Sequence, residues 1–67
     1  REETLARLAR KEAAQVRSTG RSVTLEPMNP YERRILHSAL QDFDGVTTYS
    51  EGEEPNRCVI IAPKQDD

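Results

Sequence analysis

The stretch Asn29-Pro30-Tyr31-Glu32-Arg33-Arg34-Ile35-Leu36-His37-Ser38-Ala39-Leu40-Gln41-Asp42 lies near the middle of the 67-residue chain, and its reading decides the fold. It opens as a helix start written twice over. Asn29 can cap, Pro30 suits a first helical position whose amide has no helical acceptor, and Glu32, three residues past the cap, can reach back to the cap amide. The helix is predicted to run to about Asp42. At about 100° per residue, Ile35, Leu36, Ala39, Leu40 and Phe43 share an apolar arc, with Arg34, Ser38 and Gln41 opposite. Arg33 and His37 fall together at one edge of that arc.

Before this helix, Arg1 to Thr19 contains no Gly or Pro and sets Leu5, Leu8, Ala9, Ala13 and Val16 at spacings of three and four. That is the pattern of an amphipathic helix, and Gly20 is suited to its left-handed cap. Arg21 to Glu26 alternates, Val23 and Leu25 against Ser22, Thr24 and Glu26, as a strand with one buried face does. After the central helix, Asp44-Gly45 turns the chain and Val46 to Glu51 is β-branched and aromatic enough for a second strand. Gly52 to Asn56 reads as a turn. Arg57 to Ala62 is the third strand, and its Val59-Ile60-Ile61 run, apolar on both faces, marks it as central.

The predicted fold class is α+β, a two-layer sandwich of order helix-strand-helix-strand-strand with both helices on one face. A strand-helix-strand crossover makes the first two strands parallel, so the third is expected between them and antiparallel to both, giving a mixed three-stranded sheet of order 1-3-2. Residues 1–62 are read as a single domain and 63–67 as a polar tail. With no initiator Met and a start in mid-pattern, the chain is expected to be cut from a longer protein.

Composition bounds the function. A chain of 67 residues supports one small core, and its longest aliphatic run, Val59 to Ala62, is too short for a membrane span or a signal-peptide core. The single cysteine, Cys58, rules out an internal disulfide framework and a multi-cysteine zinc site, so a soluble domain in the reducing cytoplasm is expected. The formal net charge is -2, which by itself argues against nucleic acid. The charges are nevertheless polarised, with eight Lys and Arg against five acids up to Gln41 and two against seven thereafter. The late acids, including Glu53 and Glu54 in the turn, are expected to be solvated and to leave the basic portion unscreened.

Arg33 and His37, four apart on one helix, can hold a phosphate between a guanidinium and an imidazole; the same spacing also suits a solvated face with a structural histidine. Arg34 adds charge, and Arg21, at the start of the first strand, is expected near the same end of the sheet. Among the aromatics, Phe43 is assigned to the core. Tyr31 and Tyr49 are candidates for stacking on an exposed base, Tyr49 from the sheet face opposite the helices. Glu51, Glu53 and Glu54 lack the partners of a metal site, and no nucleophile elbow or phosphate loop is present. Neither catalysis nor a cofactor is expected.

The string Glu26-Pro27-Met28-Asn29-Pro30-Tyr31-Glu32-Arg33-Arg34-Ile35-Leu36-His37, then Ala39-Leu40-Gln41, then Ser50 to Arg57, resembles the R-3-H domain of the bacterial Jag proteins, also called SpoIIIJ-associated or KhpB-type proteins. The resemblance extends from the leading helix to Ile61. It implies a single-stranded RNA-binding module, with single-stranded DNA a related ligand, that follows a KH domain in the same polypeptide and works with a small KH-protein partner. It also implies that Arg33 and His37, with Arg34 and Arg57, contact nucleic acid. Cys58 stands where the family commonly carries a second basic residue. A competing reading is a protein-interaction module docking through the basic first helix or the open sheet face.

Overall fold

The computed structural model describes residues 2–64; Arg1 and the tail residues 65–67 lie outside the described residues. Helix α1 spans Glu2–Thr19, strand β1 Val23–Thr24, helix α2 Pro30–Ala39, strand β2 Val46–Glu51 and strand β3 Cys58–Pro63. The element order and the α+β class are those predicted. The sheet order is β1-β3-β2, with β3 antiparallel to both neighbours as expected. Although β1 and β2 run parallel, β3 separates them, so the sheet is antiparallel in all its pairings rather than mixed.

The core forms where the helices cover one face of this sheet. Leu5, Ala9, Ala13 and Val16 make a buried stripe along α1, and the two alanines let that helix approach closely. Leu36 and Leu40 from the second helical segment meet Val46, Val59 and Ile61 of the sheet. Leu8, placed on the apolar face by spacing, is 36% exposed. It stands on the flank of the stripe and lines a notch with Pro27 and Met28. On the far side of the sheet Ile60 is only 5% exposed, as befits a central strand.

Three boundaries move, each for a local reason. β1 is two residues long rather than six, because Arg21 N–H still donates to Thr19 Oγ1 in the turn after α1. Beyond the strand the chain stays close to β3 through Leu25 N–H to Val59 O (3.0 Å) and Met28 N–H to Arg57 O (3.2 Å). α2 ends at Ala39 rather than about Asp42, as Gln41 and Phe43 donate to carbonyls three residues back and tighten the chain into successive turns. β3 is displaced by one residue and takes in Pro63, which pairs with Val46, so Pro63 belongs to the sheet rather than to the expected tail.

The α2-to-β2 turn is clamped from α1. Arg17 lies over the Phe43 ring at 4.6 Å from its centroid and donates to Asp44 O at 3.2 Å. Gly45 must be glycine on two counts, a φ of +88° and a position where a Cβ would fall 2.9 Å from Arg17 Cδ.

Candidate nucleic-acid interface

The predicted start of α2 is present in full. Asn29 Oδ1 accepts from Glu32 N–H (2.8 Å), Glu32 Oε1 accepts from Asn29 N–H (3.1 Å), and Pro30 opens the helix. This capping box fixes where the helix begins. Burial of Leu36 against the sheet fixes its rotation, and the two together set where Arg33, Arg34 and His37 project.

Arg33 points inward. It is 8% exposed, and its Nη1 donates to Met28 O (2.5 Å) and Glu54 Oε1 (3.2 Å), while Nη2 donates to Glu54 Oε2 (2.5 Å). Glu54 stays solvent-exposed in its turn as expected, but this forked pair ties it to α2, so it screens the most central cation of the site instead of leaving it unscreened. The same hydrogen bond, ahead of opposing desolvation, holds the Glu54 carboxyl below its ordinary pKa.

His37 lies one helical turn further on, against β2. Val46, Thr48 and Ser50 face the helices because side chains alternate along a strand. Thr48 Oγ1 lies 2.7 Å from His37 Nδ1, and Ser50 Oγ lies 3.2 Å from Nε2. In the neutral ring one nitrogen donates and the other accepts, and either hydroxyl can fill either role. Burial first, then the nearby Arg33 charge, lowers the His37 pKa, so the ring is neutral at physiological pH.

Arg57 is also engaged, donating from Nη1 to Gly52 O (2.6 Å) and from Nη2 to Ser50 O (3.5 Å). Together Arg33 and Arg57 staple both limbs of the β2-to-β3 turn. Arg34 is different. It is exposed, and among the described residues it makes no hydrogen bond or ion pair. It stands at the border of an open depression lined by Pro30, Arg33, His37, Gln41 and Thr48.

The structure thus brings Arg33, Arg34 and His37 to one surface and places Arg57 at the neighbouring turn. Arg21 does not join them. It precedes Val23, which lies on β1, the outer strand opposite β2, and pairs with Ile61 of the central β3, so Arg21 lies toward the Pro63 end of the sheet rather than the Glu54 end. Tyr31 is 56% exposed and donates its hydroxyl to Glu2 Oε2; Tyr49 is 46% exposed and pairs across to Ile60 on the open face. Cys58 is half-buried, its thiol donating to Asn56 O at 3.3 Å.

Sequence reasoning missed Glu54 as the partner of Arg33. It also missed Thr48 and Ser50 as the partners of His37. The inward alternation of β2 carried a signal for the two hydroxyls, whereas the Glu54 pair, 21 residues from Arg33, had no local sign.

Two helices backed by a three-stranded antiparallel sheet, with an Arg-x-x-x-His helix along one side, define a small α+β module. The R-3-H domain model matches residues 3–63, and the chain belongs to the R-3-H domain family. It is 59% identical over 66 residues to the RNA-binding protein KhpB of Clostridium symbiosum, covering 98% of this chain and 30% of that protein. Against RNA-binding protein KhpB of Streptococcus pneumoniae serotype 2 (strain D39) it is 48% identical over 61 residues, 91% of this chain and 19% of that protein. Against RNA-binding protein KhpB of Bacillus subtilis (strain 168) it is 45% identical over 67 residues, 97% of this chain and 32% of that protein. The chain spans about a third or less of the length of these curated relatives.

Proposed function

We propose that this chain is the RNA-binding R-3-H module of a KhpB-type cytoplasmic protein, and that it binds rather than catalyses. Its ligand is the phosphate backbone of single-stranded RNA. The observation that supports this most is the meeting of Arg34, Arg33 and His37 at one open depression beside β2, in a family whose relatives are named RNA-binding proteins. Arg34 is the free phosphate ligand. His37 lines the site as a neutral ring held between Thr48 and Ser50, Arg57 supplies positive potential, and Arg33, paired with Glu54, fixes the turn beneath the RNA strand. Arg33 binds phosphate directly only by exchanging Glu54 for it. Arg21, at the far corner, lies outside this footprint, and Tyr49 receives a base only if the strand crosses the outer edge of β2.

With so few aromatic side chains, backbone contacts dominate, so binding is weak, salt-sensitive and tolerant of sequence. A KH domain upstream in the same polypeptide, with a small KH-protein partner, reads bases, and this module adds affinity through linkage.

Fluorescence anisotropy with a short single-stranded RNA tests the reading. The slope of log affinity against log salt is expected to be on the order of -2 for three phosphates, and Arg34→Ala flattens it by about 0.7. Binding that ignores both salt and Arg34 refutes it.

A further inference from the structure

Arg34 borders two depressions of different chemistry. The polar one beside His37 has been described; the other is a groove between α1 and α2. Half-buried Ala6, Ile35 and Ala39 form its floor, and exposed Tyr31, Arg10 and Arg34 its rim. The two acids at one end of the groove are engaged, Glu2 by the Tyr31 hydroxyl and Glu3 by Arg7 at 3.5 Å. Arg10, like Arg34, has no hydrogen-bond or ion-pair partner among the described residues.

We propose that this groove is a nucleobase site, taking one base of the single-stranded RNA whose phosphate Arg34 holds; the inference rests on the reading above. A nucleotide carries an anionic phosphate and a flat, largely apolar base side by side. That is the chemistry of a cation standing beside an apolar groove. Arg10, across the groove, is complementary to the next phosphate, while Glu2 and Glu3 repel phosphate from their end, so a base enters there rather than backbone. The bond from Tyr31 to Glu2 restrains the ring, so less side-chain entropy is lost when a base stacks on it.

The test compares a six-nucleotide single-stranded RNA with an abasic ribose-phosphate strand of the same length, by anisotropy at low salt. Ala6→Leu fills the groove and Tyr31→Leu removes the ring, and both leave Arg34 and His37 in place. Each is expected to weaken RNA binding about 5- to 30-fold and to leave binding of the abasic strand unchanged. Should Ala6→Leu lose the folded amide spectrum, Tyr31→Leu alone decides. If both variants bind RNA as the parent does while Arg34→Ala weakens it, the groove assignment falls and the backbone reading stands. Equal losses on both strands overturn the base site as well. Failure of the parent chain to bind RNA removes the backbone reading and the groove with it.

Discussion

At the scale of single residues, the Arg and His of the helix differ in how they are held. Arg33 is a buried staple to Glu54, and His37 is a neutral ring between two hydroxyls. Because folding lowers the His37 pKa, the unfolded chain binds the proton more readily. Its contribution to stability is therefore complete above about pH 6.5 and declines as pH falls from there to the lowered folded value. Denaturation midpoints across this range should show that decline, and His37→Gln should abolish it. The Glu54 carboxyl is also depressed, so its contribution holds above the ordinary carboxylate range and is lost as pH falls through the lowered value. Glu54→Gln should therefore remove the more acidic part of the decline and leave the part near pH 6.5. RNA affinity should be flat from about pH 7 to 8, where the ring stays neutral, and rise on acidification as it gains charge. Four-residue spacing made Arg33 and His37 visible in the sequence. The partners that decide their charge come from strand register and a distant turn, which no local pattern records.

At the scale of elements, helices were more legible than strands. Asn29, Pro30 and Glu32 act through backbone groups within one turn, so the start of α2 followed from sequence alone. Asn29→Ala should cost about 1 kcal/mol in chemical denaturation, with a range of roughly 0.5 to 2. The end of α2 was less legible because it depends on Phe43 returning to Arg17 of α1, and such contacts have no local signature. Gly45→Ala should destabilise through both its positive φ and the Arg17 side chain, whereas Gly20, where an added Cβ would meet nothing within 4 Å, should suffer from φ alone. Gly45→Ala is expected to give the lower denaturation midpoint of the two. β1 shrank to Val23–Thr24 because an edge strand's length is set by its neighbour and its turn, not by its own alternation.

At the scale of the whole molecule, net charge misleads and the topology explains why. The β2-to-β3 turn carries Glu54 back to α2, so an acid from the late, acidic portion sits within the basic surface. Beside it Arg34 stays free, and RNA affinity is expected to depend on that residue more than on the charge total. Replacing Leu36, fully buried where α2 meets the sheet, with Ala should cost about 2 to 5 kcal/mol in denaturation, because a cavity would open in the core beneath α2. Chemical-shift mapping of a short single-stranded RNA on the isotope-labelled chain tests the proposed RNA face most directly. Perturbed amides are expected along residues 31–41 and at Thr48, extending to Ala6 and Arg10. Shifts confined to Tyr49 and Ile60 on the open sheet face, or to the Arg21 corner, would contradict it.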